Sequence, residues 1–221
     1  MAILKNKHHD SDPVWHLQLT MVIAIILQLA LPNKFLFGSR YLIPFVEALL
    51  LVALSFTTPK QAVYRAPLRR LNVFLLVIVT AAANFVALGL VAEQLLQGKH
   101  ATITGHNLII AAVNIFLTNI ILFGLLYWEL DGGGPGMRRG LTKHELDFWY
   151  PQQQIDSSDN QPRWHPTFVD YLYVSATNGM AFSPTDTMPV SRRAKVLMLV
   201  QATVSLVAIA LVASRAVNIL T

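Results

Sequence analysis

Three oxygen-bearing side chains lie close together in the run FSPTDTMPVSRRAK, at positions 182–195 of the sequence. Ser183 and Thr185 carry hydroxyl groups, and Asp186 carries a carboxylate. Oxygen donors of this kind can replace the hydration water of a hard cation in a narrow passage. A ring of Asp186 carboxylates from several copies would concentrate cations at the mouth of that passage. The run therefore predicts either a cation-conducting constriction or an ordinary surface turn.

The composition places the chain among membrane proteins. Its 221 residues are 54% hydrophobic and only 13% charged, with a mean hydropathy of +0.48, whereas soluble domains carry about a quarter charged residues. The chain has no cysteine, which excludes disulfides, thiolate metal sites and cysteine nucleophiles. Its net charge of +5 comes from Lys and Arg residues between apolar stretches. We therefore expect a lipid bilayer as partner and no nucleic acid.

Five apolar stretches are candidates for membrane helices, since a bilayer core takes roughly 20 residues of helix. They run over residues 15–31, 41–56, 71–96, 108–128 and 194–219. A further apolar stretch, residues 167–180, has only 14 residues, which is typical of a re-entrant or interfacial helix. Tyr127 and Trp128 stand at the end of a stretch and are expected at the membrane interface. The pattern predicts an all-α integral membrane fold.

The run DTMPVS at 186–191 is followed by Lys195, six positions past Pro189, and then by the last apolar stretch. With the short stretch before it, this run resembles the pore module of tetrameric potassium-channel-like proteins. In that family an outer helix precedes a short pore helix, a filter and an inner helix. The filter reads T-V-G-Y-G-D, and after two further residues the line continues P-V-[ST], with a basic residue six positions past the proline. The resemblance covers residues 167–218.

The apolar stretches predict about five transmembrane helices, and the resemblance implies a short re-entrant pore helix before the last one. Residues 1–14 are then a polar tail, 15–106 a three-helix peripheral membrane region, and 107–221 a pore-like module. The module divides into an outer helix at 108–128, a polar loop at 129–166, a pore helix with filter-like loop at 167–190, and an inner helix at 194–219. The filter-like residues are Ala181, Phe182, Ser183, Pro184, Thr185 and Asp186.

Three filter-like residues depart from the family pattern. Ser183 and Thr185 stand where the family has glycine, and Pro184 stands where it has tyrosine. A potassium filter points its carbonyls inward with backbone angles that glycine tolerates and β-branched residues do not. Potassium selectivity is therefore not implied. A second register over residues 177–181 recovers one glycine but leaves Pro189 four residues too far along, so the first register is preferred.

Thr177, Gln201 and Ser205 are further candidates for lining a pore. Gln201 and Ser205 are one helical turn apart and therefore share a face of the predicted inner helix. The alternative interpretation is helix packing, because hydroxyl and amide side chains commonly join membrane helices.

Glu47 lies inside the second apolar stretch, and an intramembrane acid indicates a proton relay or an ion site. Asn84, Asn114 and Asn119 are expected to form hydrogen bonds between helices. The seven histidines include no H-x-x-x-H or H-E-x-x-H spacing, so we predict no metal site, no cofactor and no enzymatic activity.

The leading interpretation is a pore-loop ion channel that conducts monovalent or divalent cations as a homotetramer, the four-fold assembly being implied by the resemblance. The alternative is a secondary transporter or membrane accessory protein in which residues 167–190 form a re-entrant gate, with Glu47 or Asp186 as coupling site. We expect the protein in the bacterial inner (cytoplasmic) membrane.

The orientation in that membrane is left open. Most of the 17 Lys and Arg residues fall on the predicted face that carries residues 182–195, and the positive-inside tendency places that face in the cytoplasm. The resembling channels have their filter loop outside. Three explanations remain: an exception to the tendency, an inverted module, or an early apolar stretch that does not cross.

Overall fold

A computed structural model describes residues 14–32, 35–36, 39–57, 66–96, 104–135, 137–138, 145–155, 164–181 and 186–220. The described chain is mostly helical, as the apolar pattern predicted. The helices are α1 Val14–Ala30, α2 Leu42–Thr57, α3 Ala66–Leu96, α4 Gly105–Leu130, α5 Gln152–Ile155, α6 Phe168–Ala181 and α7 Arg192–Leu220. Two short strands, β1 Phe148–Trp149 and β2 Met188–Pro189, were not predicted.

Among the described residues, three helical segments are long and apolar enough to cross a membrane. They are Arg70–Leu95 in α3, Gly105–Gly133 around α4 and Arg192–Leu211 in α7. Two shorter apolar helical segments, Trp15–Ala30 and Leu42–Leu54, accompany them. The membrane character of the chain therefore rests on three long helices and two short ones.

Helix α4 is the centre of the bundle. Seventy-two per cent of its most apolar stretch is buried, against 33% for α3 and 28% for α7. Helices α7, α6, α3 and α1 all pack against it. Thr104 caps its start by accepting a hydrogen bond from the N–H of Asn107 at 3.4 Å, as hydroxyl residues do at helix N-termini. A central helix of this kind positions the residues of every neighbour.

Helix α6 lies antiparallel to the second half of α4. Its first residue, Phe168, stacks edge-on against Trp128 with ring centroids 6.0 Å apart. One to two turns further, Ser175 Oγ donates a 2.7 Å hydrogen bond to the carbonyl of Ile120. Eight residues of α4 separate these two contacts, or about 12 Å at the rise of a helix. Helix α6 therefore begins beside the end of α4 and ends beside its middle.

The starts of α6 and α7 are fixed by local capping. Thr167 donates from both its backbone N–H and its hydroxyl to Asp170 Oδ2, at 2.7 and 2.9 Å. The side chain of Ser191 accepts the N–H of Ala194 at 3.1 Å. Both are side-chain caps of exposed backbone groups at a helix start. These caps place the two starts at the same end of the bundle as the end of α4.

The two strands pair antiparallel at that end, with Phe148 opposite Pro189 and Trp149 opposite Met188. Asp147 precedes β1 and holds Arg193 of α7 through two hydrogen bonds of 3.0 and 2.8 Å. Residues 129–166 were predicted as a polar loop, yet Phe148 is only 1% exposed. Its ring fills the space between α4 and α6, where it contacts aromatic residues of both helices. The two strands and the ring of Phe148 thus cover the end of the bundle at which α4 ends.

Gly124 permits the close approach of α4 and α6. A Cβ atom at this position would lie 3.1 Å from both Cα and Cδ1 of Leu172, closer than packed carbon atoms tolerate. We expect Gly124→Ala to lower the free energy of unfolding by about 1–3 kcal/mol through overpacking. The measurement is thermal unfolding of purified protein in detergent.

Gly89 of α3 supplies the matched control, because a Cβ atom there meets nothing within 4 Å. Gly89→Ala is expected to be neutral or to stabilise by up to about 1 kcal/mol through helix propensity. Equal melting temperatures for the two variants would show that α4 and α6 can separate enough to accept the added methyl group.

Candidate functional site

A buried set of polar side chains joins α4, α6 and α7. We call it the interhelical network, and its members are Asn119, Tyr127, Ser175, Asn178, Gln201 and Ser205. Each of these residues is at most 3% exposed. Buried polar groups are costly unless they are hydrogen-bonded, so the partners of each one define what the network does.

Gln201 is the central member of the network. Its Oε1 accepts hydrogen bonds from Tyr127 Oη at 2.6 Å and from Asn178 Nδ2 at 2.8 Å. Its Nε2 donates to the backbone carbonyl of Ser175 at 2.8 Å and to Ser175 Oγ at 2.6 Å. A glutamine amide has two donor hydrogens and two acceptor lone pairs. The amide of Gln201 therefore uses its full hydrogen-bonding capacity within one chain.

Asn119 extends the network toward the middle of the bundle. Its Nδ2 donates to Ser205 Oγ at 3.0 Å, which joins α4 to α7. Asn84 of α3 similarly donates to the carbonyl of Ile115 in α4 at 3.2 Å. The predicted interhelical bonding of Asn84 and Asn119 is thus confirmed. Asn114 is buried as well, but its Nδ2 has no partner among the described residues.

Gln201 and Ser205, predicted as candidates for lining a pore, lie on the face of α7 that packs against α4 and α6. Both side chains are 0% exposed, because α4 and α6 cover the face of α7 that carries them. Thr177 is half-buried, and its hydroxyl lies 3.0 Å from the carbonyls of Tyr173 and Val174 in its own helix. Within one chain Gln201 and Ser205 thus join α7 to its neighbours, as the alternative interpretation of their pattern has it, while the hydroxyl of Thr177 is bonded within α6.

Only the two ends of the filter-like segment belong to the described chain. Ala181 is the last residue of α6, and Asp186 is exposed on the far side of the segment. Thr187 follows it, buried to 3% exposure. The predicted ligands Ser183 and Thr185, with Phe182 and Pro184, lie outside the described residues. Ala181 and Asp186 nevertheless mark the two ends of this segment.

A second buried polar cluster closes the end of α4, and we call it the polar cap. Its centre is Asp131, which is 0% exposed. Oδ1 accepts the backbone N–H groups of Asp147 and Phe148, at 2.6 and 3.2 Å. Oδ2 accepts the hydroxyl of Tyr171 from α6. One carboxylate thus joins the ends of α4, β1 and α6.

Arg138 supplies the positive charge of the polar cap. It is 4% exposed, and its Nη2 donates to the carbonyl of Trp128 at 2.6 Å. Its guanidinium carbon lies 4.8 Å from the ring centroid of Tyr171, a cation–π distance. Burial raises the pKa of the neighbouring Tyr150 phenol well above its ordinary value, so that hydroxyl stays neutral. The cap therefore combines the buried carboxyl group of Asp131 with the buried guanidinium of Arg138.

The chain can reach the polar cap because three glycines follow α4. Gly132, Gly133 and Gly134 have φ angles of 56°, 81° and 100°, in the region that side chains with a Cβ atom disfavour. The sequence indicated a helix stop here, but it did not predict a buried cluster. Tyr127 and Trp128, at the end of α4, are buried against other parts of the chain at 0% and 3% exposure.

Glu47 forms a separate polar centre among α1, α2 and α3. The side chain is 0% exposed, and its Oε1 lies 2.7 Å from Gln28 Nε2 of α1 and 2.7 Å from Thr80 Oγ1 of α3. The intramembrane acid predicted from the sequence is therefore fully enclosed by two neighbouring helices.

Comparison with other proteins adds no family assignment: no protein-family model, no curated protein and no solved structure matches this chain.

Proposed function

We propose that this chain is the subunit of a pore-loop channel for cations. One observation carries the proposal: α6 begins beside the end of α4 and ends beside its middle, while Asp186 and β2 follow before α7 starts at that same end. A short helix that enters a bundle halfway and is followed by a return to the same end is the layout of a re-entrant pore loop. The segment Ala181–Asp186 would then form the narrow part of the passage.

The proposed membrane arrangement has five crossings, made by α1, α2, α3, α4 and α7. The three long helices exceed or match the roughly 20 residues that a bilayer core takes. Helices α1 and α2 have 17 and 16 residues, which requires local thinning or flanking polar residues at the interface. The proposed location is the bacterial inner membrane.

The proposed assembly is a homotetramer, because one copy of this loop cannot surround an ion. The face of α7 that points away from the bundle is apolar over several turns. This supports the proposal that other chains or lipids cover it. Its exposed residues include Val196, Leu199, Val200, Leu206 and Val207. Four copies of Asp186 would meet around the axis and attract monovalent or divalent cations to the mouth.

The experiment is cation flux through purified protein in liposomes. Asp186→Asn removes the acidic ring without changing side-chain size, and we expect Na⁺ and K⁺ flux to fall by about ten-fold at low ionic strength. High salt should shrink the difference, because mobile ions screen the carboxylates. The fluorescence of a trapped cation indicator measures the rate.

The control for this experiment is Glu145→Gln, which removes an exposed acid just before β1. This substitution should leave the flux unchanged. No flux under Na⁺ or K⁺ gradients of either direction contradicts the channel. An unchanged rate in Asp186→Asn contradicts the place given to Asp186.

The second candidate function is a secondary transporter or membrane accessory protein, and the fully buried Glu47 favours it. In a transporter an enclosed acid would couple proton or cation binding to movement, with residues 167–190 as gate. Native mass spectrometry from detergent separates the two candidates, because a monomer cannot build the proposed pore.

A further inference from the structure

The carboxyl group of Glu47 lies in the three-helix region, away from the proposed pore loop. Its Oε1 makes two short contacts, and its Oε2 has no hydrogen-bond partner among the described residues. The two contacting groups come from different helices, Gln28 from α1 and Thr80 from α3. The question is whether this arrangement suits a carboxylate or a carboxylic acid.

Counting hydrogens at Thr80 favours the acid. Thr80 Oγ1 lies 2.7 Å from Glu47 Oε1 and 2.9 Å from the carbonyl oxygen of Leu76. A hydroxyl has one hydrogen and two lone pairs, and a carbonyl oxygen can only accept. If the hydroxyl of Thr80 donates its hydrogen to the carbonyl of Leu76, it has no hydrogen left for Glu47. The contact with Glu47 is then a hydrogen bond only when the carboxyl group of Glu47 is protonated and donates. A proton on Glu47 therefore satisfies both short distances at once.

The charges around Glu47 also favour the acid. No ion pair to Glu47 exists within the part of the chain that the structure describes. On the helices packed against α2, the titratable groups are far along the axis. His16 of α1 is 12 residues from Gln28, or about 18 Å, while Arg70 and Glu93 of α3 are about 15 and 20 Å from Thr80. An ionised carboxylate without a counter-charge is strongly disfavoured in such a place.

Arg40 is the basic residue of the connection between α1 and α2 that the structure describes, since Lys34 of the same connection lies outside the described residues. Its guanidinium donates to the backbone carbonyl of Leu29, next to Gln28, and does not form an ion pair with Glu47. The guanidinium of Arg40 is thus hydrogen-bonded to the backbone at the end of α1 and not to the carboxyl group of Glu47.

A small cavity adjoins the Glu47 site. Its volume is about 20 Å³, enough for one water molecule. Its lining includes the amides of Gln28 and Asn84 and the apolar residues Leu31, Phe35 and Ile43. Gln28 both lines the cavity and contacts Glu47. The cavity therefore extends from the acid toward the connection between α1 and α2, at the end of the bundle.

We propose that Glu47 is a proton-binding site: a carboxyl that carries an exchangeable proton, held by Gln28 and Thr80, with access through the adjoining cavity. In the protonated state Gln28 Nε2 donates to Oε1, Oε1–H donates to Thr80 Oγ1, and Thr80 donates to the carbonyl of Leu76. Loss of the proton leaves one of these contacts without a hydrogen. The ligand is the proton, and the proposal does not depend on the pore.

Infrared spectroscopy tests the proposal on the full-length protein in lipid, with ¹³C label on glutamate only. The chain has four glutamates, Glu47, Glu93, Glu129 and Glu145, so few bands overlap. We expect wild type minus Glu47→Gln to contain a labelled carboxylic-acid C=O band at neutral pH. In D₂O this band should move to lower frequency, as an exchangeable O–H becomes O–D.

Glu93→Gln is the matched control, because Glu93 is exposed near the end of α3 and its removal should leave that band intact. A carboxylate band in place of the acid band overturns the proposal. A band that does not respond to D₂O overturns it too, since the proton is then not exchangeable. Conversion of the acid band by Na⁺ at constant pH also overturns it, in favour of a cation site.

Wild-type protein compared with Glu93→Gln provides a second test if Glu47→Gln does not fold. As the pH rises, the labelled spectrum of the wild type should gain a carboxylate band and lose intensity in the carboxylic-acid band. Part of this change should remain in Glu93→Gln, because Glu47 is still present in that variant. No loss of acid intensity over the pH range in which the protein stays folded overturns an exchangeable site.

Discussion

Gln201→Met is expected to destabilise the protein by about 3 kcal/mol, which is more than 100-fold in the folding equilibrium. Methionine keeps the length and approximate volume of glutamine but removes both amide functions. The hydroxyl of Tyr127 loses its acceptor, and Asn178 and Ser175 each lose one partner. Unpaired buried polar groups cost about 1–3 kcal/mol each, with partial recovery from other partners in the membrane. Chemical denaturation in mixed micelles, followed by tryptophan fluorescence, measures the loss.

Thr203→Val is the control for this prediction. Thr203 is two residues further along α7, is exposed, and its hydroxyl donates to the carbonyl of Leu199 in its own helix. Its replacement should change stability by less than about 0.5 kcal/mol. Equal stability of Gln201→Met and wild type would mean that the network contributes nothing. In a double-mutant cycle, Tyr127→Phe should cost much less once Gln201 is already Met.

Asp131→Ala is expected to destabilise by about 4 kcal/mol, the largest single effect in the polar cap. The substitution leaves the N–H groups of Asp147 and Phe148 without an acceptor, and it does the same to the hydroxyl of Tyr171. It also removes the negative charge that interacts with the buried guanidinium of Arg138. Loss of the ordered end of α4 should appear as faster proteolysis in residues 145–155, along with the lower stability.

Asp131→Asn separates hydrogen bonds from charge. Its Oδ1 can still accept the two backbone N–H groups, so we expect a loss of only about 1–2 kcal/mol. If Asn proves as damaging as Ala, the balance of charge with Arg138 decides the stability of the cap. If Ala costs less than about 1 kcal/mol, the cap is not a stabilising feature.

The helices of this protein could be predicted from the sequence because length and apolarity decide them. The short stretch at 167–180 corresponds to α6, residues 168–181, with a one-residue difference at each end. Helix α3 begins five residues before its apolar stretch, since Arg69 and Arg70 are good helix formers that an apolar count leaves out. Asn178 and Gly179 have the residue types of a helix end. They stay helical because Asn178 bonds α7 and Gly179 allows Ser205 to approach.

The polar clusters could not be predicted because their partners are distant in sequence. Gln201 accepts from Tyr127, 74 residues earlier, and Tyr171 bonds Asp131, 40 residues earlier. A single sequence contains no signal for such pairs. The strands were missed for a related reason, since two residues are too few for alternation to be visible. One available signal was overlooked: Thr167 and Asp170 have the spacing of a capping box.

The depth at which α6 stops has an electrostatic consequence. The last carbonyl groups of a helix have no partner within it, and the aligned peptide dipoles place about half a negative charge there. Since α6 ends beside the middle of α4, this partial charge lies not at the end of the bundle but within it, where salt screens it poorly. Backbone alone therefore creates a potential that favours a positive charge near Ala181, whichever side chains follow. Substituting the side chains that follow α6 would leave this part of the field in place.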